Sequence, residues 1–241
     1  MVKYVEMSSI LRVCVIIPAF NEGSVIRGVV QGIQKTLKET HFDYEVIVVN
    51  DGSKDDTAIE AIKGGAKVIS HILNSGAGGA TATGLSYASQ NNFDLAATMD
   101  ADGQHLPEDV VRGLKTARKQ KTDLLIGSRL IDSRGMSRVK ILGNKGLSGI
   151  TYSLFGVNVT DSQSGLRIFS QHALQNLRWK TSGYEFCSEM LWRAKQLGMI
   201  IAEYSITAVY TDYSKTKGQN NWNALNIVKS LIRRRILEMF E

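Results

Sequence analysis

Leu95-Ala96-Ala97-Thr98-Met99-Asp100-Ala101-Asp102-Gly103, residues 95–103, passes from an unbroken apolar run to two carboxylates one residue apart and then to glycine. An apolar run of strand length without polar alternation predicts a strand buried on both faces, as in the parallel sheet of an α/β protein. In open sheets of that kind ligands bind beyond the carboxyl ends of the strands, so the residues that follow are where chemistry is expected. Two neighbouring carboxylates are costly to bury without a cation. A hard divalent ion needs only one or two carboxylates beside waters and substrate phosphates, which makes Asp100 and Asp102 a candidate cation pair.

The same transition recurs on both sides of this stretch. Apolar runs predict strands over 12–18, 44–50, 67–72, 94–99 and 123–127, and helix-length patterns lie between them over 24–38, 56–62, 79–90 and 107–120. That alternation is the βαβ rhythm of a mostly parallel sheet flanked by helices. Past residue 128 the rhythm loosens: a helix is expected over 140–155, a short strand over 166–170, a helix over 185–197 and a strand over 199–210. Residues 222–241 form an amphipathic segment, with Trp222, Leu225, Val228, Leu231, Ile232, Ile236 and Met239 at three- and four-residue spacing beside Lys229 and Arg233-Arg234-Arg235. The expected organisation is an N-terminal extension over 1–11, one domain over 12–221 and a basic C-terminal helix over 222–241.

Composition narrows the partners. Of the 241 residues 43% are hydrophobic and 22% charged, values that fit a sizeable core rather than extensive disorder. Two cysteines cannot build a disulfide framework and are expected to be buried thiols in a reducing cytoplasm. The first eleven residues lack the apolar core of a signal peptide, and no apolar run reaches the ~18 residues of a membrane span. Any membrane contact is therefore expected to be peripheral, on the cytoplasmic face and through the C-terminal helix, whose basic residues suit an anionic surface. A net charge of +6 and a pI near 9.3 favour anionic partners. Basic residues interleaved with aromatics are missing, so nucleic acid is not expected among them.

A polar cluster follows each predicted strand. Pro18-Ala19-Phe20-Asn21-Glu22 comes after the first, where Phe20 offers a flat face to a base or ribose and Asn21 is a candidate helix cap. Asn50-Asp51-Gly52-Ser53 comes after the second, and Asp51 can accept from a base N–H while Asp55, Asp56 and Thr57 serve capping. Asn74-Ser75-Gly76-Ala77-Gly78-Gly79 comes after the third and lets backbone approach a sugar or phosphate, although it lacks both the dinucleotide and the Walker glycine phase. Without a glycine fingerprint after the first strand, a nicotinamide-dependent dehydrogenase is disfavoured.

This run of motifs, with Gly127-Ser128-Arg129 and Asp161-Ser162-Gln163-Ser164-Gly165-Leu166-Arg167, resembles the family 2 glycosyltransferases of GT-A fold. It is most similar to the branch of dolichol-phosphate mannose synthases and other polyprenyl-phosphate glycosyltransferases, over roughly residues 12 to 218. The resemblance implies an α/β GT-A fold and an inverting transfer from a UDP- or GDP-sugar with Mg²⁺ or Mn²⁺. It implies a nucleotide pocket of Pro18, Phe20, Glu22, Asp51 and Gly76, and a metal and diphosphate site of Asp100, Asp102 and Gln104. Arg129 and Arg138 then face the acceptor phosphate. Ala77 stands where many relatives have Lys, and Lys215 or Lys217 takes the place of a late Arg, so Lys217 joins Glu189, Asp161 and Arg167 as a candidate sugar contact.

The acceptor stays open between a polyprenyl phosphate and a saccharide or lipid-linked saccharide hydroxyl. A phosphate is already anionic and needs positioning by Arg129, whereas a hydroxyl needs a carboxylate base. Glu185, which shares a helix face with Glu189, and Asp161 are the candidates for that base, with Asp161 alternatively orienting Arg167. A non-catalytic sugar-nucleotide-binding module is the reading from another class.

Overall fold

In the computed structural model, which describes residues 10–209, 228–233 and 235, Val13, Val15 and Ile17 face one side of the first strand and Cys14 and Ile16 the other. The period of two in β1 (Arg12–Ala19) repeats in β2 (Asp43–Asn50), where Val46 and Val48 join the first side and Ile47 and Val49 the second. Both faces of the sheet are thus apolar, and each needs a helical layer. α1 (Ile26–Lys38), α2 (Thr57–Lys63) and α4 (Pro107–Gln120) cover the first through residues such as Ile26, Val30 and Leu114. The second is covered by α3 (Gly76–Gln90), α5 (Arg138–Phe155), α6 (Gln171–Asn176) and α7 (Phe186–Gln196).

The remaining strands are β3 (Lys67–Ser70), β4 (Leu95–Thr98), β5 (Leu124–Ser128), β6 (Arg167–Ser170) and β7 (Ile201–Ser205), and the order across the sheet is β3-β2-β1-β4-β6-β5-β7. β6 alone runs against its neighbours β4 and β5. That reversal has a consequence for function: the segment leading into β6 reaches the same edge at which β1, β2, β4 and β5 end. Thr98, the last residue of β4, pairs with Arg167, the first of β6, and Thr98 Oγ1 donates to the Gly165 carbonyl at 2.8 Å.

Most expected elements lie within two residues of their predicted bounds. The exceptions have visible causes. β7 stops at Ser205, short of the predicted 210, because Thr207 N–H leaves the ladder to donate to Asp109 Oδ2 at 2.8 Å. α3 begins at Gly76 rather than 79, since the Ser75 and Gly76 N–H groups are held by Asp51. α6 was not expected; Ser170 starts this six-residue helix by accepting from Ala173 N–H.

The N-terminal extension over 1–9 and most of 222–241 lie outside the described residues. Where the last segment is described it is helical, with Leu231 fully buried in the second core and Val228 packed against it. These two members of the apolar stripe face the protein itself. No helix among the described residues is long and apolar enough to cross a membrane.

Candidate active site

The loops beyond the strands interlock through side chains that the sequence places just past each strand end. Asn21, in the left-handed region at φ 55°, accepts from Lys54 N–H at 2.9 Å while its own N–H donates to Ser53 Oγ at 2.9 Å. It therefore ties the β1 loop to the β2 loop and does not cap α1, as was one expectation. Asp55 accepts from Thr57 N–H at 3.1 Å at the start of α2 and from Gly23 N–H at 3.0 Å in the β1 loop, while Asp56 at the N-cap makes no side-chain cap bond. Pro18 and Glu22 are half-buried at this edge, and Phe20 is exposed beside them.

Asp51 is buried and closes onto the start of α3. Its Oδ1 accepts from Ser75 N–H (2.8 Å), Ser75 Oγ (2.7 Å) and His71 Nδ1 (2.8 Å), and its Oδ2 from Gly76 N–H (2.9 Å). Burial alone would raise its pKa, but these bonds from Ser75, His71 and Gly76 outweigh it and hold the carboxyl below the usual range. His71 Nε2 in turn meets Thr83 Oγ1 at 3.0 Å. The glycines of this loop serve close packing: Gly78 N–H donates to Ser182 O at 2.7 Å, and a Cβ there would lie 2.6 Å from Thr181 O. They admit the 181–183 loop.

Asp100 and Asp102 emerge where β4 meets the loop into α4. His105 Nε2 lies 3.0 Å from Asp100 Oδ2, and its Nδ1 is buried without a partner. Loss of surrounding water works to raise the Asp100 pKa, but the bond and charge of His105, with Arg129 and Arg167, keep it below the ordinary value. Asp102 moves the opposite way, pushed up by burial and then by the Asp100 charge. Gln104 is bound to Asp102 through both its backbone and side-chain amides. Among the described residues no three His, Cys, Asp or Glu side chains converge as a self-sufficient metal cage. Two like-charged carboxyls driven apart in pKa fit a hard cation whose other ligands are waters and a diphosphate.

On the far side, Arg129 follows β5 and forks onto Asp161, with Nε to Oδ2 at 2.7 Å and Nη2 to Oδ1 at 2.9 Å. Asp161 is 0% exposed, and the arginine it pairs with is Arg129 rather than Arg167. Arg167 is itself buried, donating to the carbonyls of Ser164 (3.0 Å), Cys187 (3.2 Å) and Ser162 (2.7 Å). It shapes the loop under Asp100 and does not line the cleft. Glu189 is likewise consumed internally, accepting from Lys180 N–H (3.1 Å) and Thr181 N–H (2.9 Å). Glu185, half-buried at the start of α7, makes no side-chain hydrogen bond or ion pair among the described residues.

Arg138 is exposed at the first turn of α5. Two residues on from it, Lys140, which no motif flags, feels the charges of this edge: burial lowers its pKa, repulsion from Arg129 adds to this and attraction to Asp102 opposes it. His71 also escaped the motifs, and its place one residue past β3, on the Asp51 edge, was the available signal. Val209 N–H donates to Gln104 O at 3.3 Å, so the chain leaving β7 passes over the site; Lys215 and Lys217 lie beyond it, outside the described residues.

Known proteins resemble this chain in sequence and in fold. A UDP-N-acetylglucosamine–dolichyl-phosphate N-acetylglucosaminyltransferase from Methanococcus voltae is 39% identical over 227 residues, covering 85% of this chain and 88% of that one. An undecaprenyl-phosphate mannosyltransferase from Micrococcus luteus is 31% identical over 222 residues, covering 86% and 87%. The crystal structure of glucosyl-3-phosphoglycerate synthase from Mycobacterium tuberculosis, in complex with Mn²⁺, UDP and glucosyl-3-phosphoglycerate, superposes with a TM-score of 0.71 at 24% identity, covering 95% of this chain and 79% of that one, and so shares the fold. The model of glycosyl transferase family 2 matches residues 14–178, and with these relatives it establishes that the chain belongs to that family of enzymes.

Proposed function

We propose that this glycosyltransferase moves a sugar from a nucleoside-diphosphate donor to a polyprenyl phosphate, with inversion at the anomeric carbon and with the help of a divalent cation. The observation that carries this reading is the facing of unlike charges across one strand edge. Asp100 and Asp102 stand at the end of β4, and Arg129 and Lys140 lie within electrostatic reach from β5 and α5. Carboxylates suit the cation of a donor diphosphate, and a guanidinium suits an acceptor phosphate. The two curated relatives named above support the acceptor class, since both names specify a lipid phosphate while the sugars differ.

The bond changes are simple. An oxygen of the acceptor phosphate attacks the anomeric carbon, and the bond from that carbon to the donor diphosphate breaks, its electron pair leaving with the nucleoside diphosphate. Asp100 and Asp102 would hold a divalent cation, which when bound would supply Lewis-acid stabilisation of charge growing on the departing oxygen. Asp51 and Phe20 hold the base: Oδ2 of Asp51 takes only the Gly76 N–H and keeps acceptor capacity for a base N–H. Arg129, fixed by Asp161, orients the acceptor phosphate, which needs no base. Glu185 favours a second reading, in which a saccharide hydroxyl is the acceptor and this carboxylate, without a side-chain partner among the described residues, removes its proton.

Incubating the protein with labelled UDP-N-acetylglucosamine, UDP-glucose or GDP-mannose, Mg²⁺ and a polyprenyl phosphate, followed by chloroform-methanol extraction, separates the readings. An acid-labile lipid product is expected. Label found only in an acid-stable saccharide product supports the hydroxyl acceptor, and absence of product from every donor overturns both. The loop beneath Asp100 gives a second check: a Cβ at Gly165 would fall 2.6 Å from Asp100 Cγ, so Gly165→Ala must displace this carboxylate. Transfer by Gly165→Ala is expected to drop about 10²-fold, as misplacement by about 1 Å does, with the thermal midpoint little changed.

A further inference from the structure

α5 reverses the arrangement of a helix lying between a core and water. Its inward face is rich in hydroxyls: Ser148 Oγ donates to Thr160 O at 3.0 Å, and Thr151 Oγ1 lies 2.8 Å from Ser188 Oγ. Its outward face carries Val139, 71% exposed, and Leu142, 74% exposed, with exposed Ile131 in the preceding loop and exposed Tyr152 further along. Gly143, Gly146 and Gly149 share that face, and a Cβ at any of them would meet nothing within 4 Å. Among the described residues no element covers this side. A soluble helix places its apolar stripe inward, so apolar residues grouped on the outside mark a surface for a partner.

The charges identify the partner. Between residues 129 and 155 there are five cations, Arg129, Arg134, Arg138, Lys140 and Lys145, against one acid, Asp132. Asp132 pairs with Arg134. Arg138, Lys140 and Lys145 stand among the exposed apolar residues of the first two turns. Apolar side chains ringed by lysine and arginine fit an anionic lipid bilayer, where the apolar groups enter the acyl boundary and the cations meet the headgroups. The position fits as well, because the same turn carries Lys140, whose charge is felt at Arg129 and Asp102.

We infer that the first half of α5, with the 131–137 loop, docks the protein on an anionic bilayer. Docked there, the protein presents Arg129 and Lys140 to a phosphate at the membrane surface; this consequence, though not the docking, rests on the polyprenyl-phosphate reading. The surface differs from the C-terminal helix, whose Val228 and Leu231 are spent on the protein core.

Flotation of the full chain with phosphatidylcholine vesicles, with and without phosphatidylglycerol, tests the inference. The parent is expected to float with the anionic vesicles, and Val139→Glu/Leu142→Glu to lose about tenfold or more of that binding. Circular dichroism and transfer to a water-soluble short-chain prenyl phosphate, both unchanged in the variant, show that it is folded. A parent that stays unbound, or a variant that floats as well as the parent, overturns the docking. So does sedimentation showing a parent dimer that the variant splits while neither floats, since the face would then join two copies of the chain. Docking retained by a parent that glycosylates no prenyl phosphate refutes the proposed acceptor and leaves the docking standing.

Discussion

Asp102→Asn is expected to lower sugar transfer by roughly three orders of magnitude, the scale on which loss of a transition-state electrostatic partner acts, while the metal-free protein melts no lower than the parent. The two outcomes have one cause. Burial and the neighbouring Asp100 charge both disfavour the ionised Asp102 side chain, so in the absence of a cation this carboxylate is a burden on the fold. Asparagine keeps the shape and removes the repulsion. A residue retained for stability would show the reverse, a lower melting temperature with transfer intact. Loss of transfer in Asp102→Asn would also exclude a non-catalytic sugar-nucleotide-binding module.

Arg129→Ala is expected to abolish transfer and to destabilise the fold together. Asp161 is fully buried and receives both arms of the guanidinium, and breaking such a pair leaves an uncompensated carboxylate at a cost of about 3–5 kcal/mol. Arg129 is 19% exposed, so the lower part of that range applies, which corresponds to a melting temperature roughly 6–10 °C lower for a chain of this length. Stability and function can then be separated. Arg129→Ala/Asp161→Asn removes both charges and should recover most of the lost stability, measured by thermal unfolding, without recovering transfer. Recovery of transfer in the double variant would mean that Arg129 matters only as a partner for Asp161.

The architecture was readable wherever one residue type does one physical job. Val13-Cys14-Val15-Ile16-Ile17 is apolar at every position and forms a strand with a core on each side. Asp100 and Asp102, Asp51 and Arg129 each follow an apolar run and lie at the predicted edge. The reversal of β6 was not readable, because Arg167-Ile168-Phe169-Ser170 carries no mark of the direction in which its neighbours run. Side-chain partnerships were equally silent. Asp161 meets Arg129 across 32 residues of chain, and His71 meets Asp51 across 20. Nothing local distinguishes a carboxylate that faces a ligand from one that closes on a distant loop, so the hydrogen bonds that Glu189 and Asp161 accept from within the protein could not be read from their neighbours in sequence.

Titration of the protein with UDP and with GDP by calorimetry, in Mg²⁺ or Mn²⁺ and again with the cation removed by EDTA, bears most directly on the strand-end carboxylates. For one of the two nucleotides the affinity is predicted to rise about tenfold or more with the cation in the parent, a coupling of about 1.4 kcal/mol, and to show no such gain in Asp102→Asn. Equal affinity with and without the cation, or the same gain in Asp102→Asn as in the parent, would contradict the assignment of Asp100 and Asp102 to the donor diphosphate.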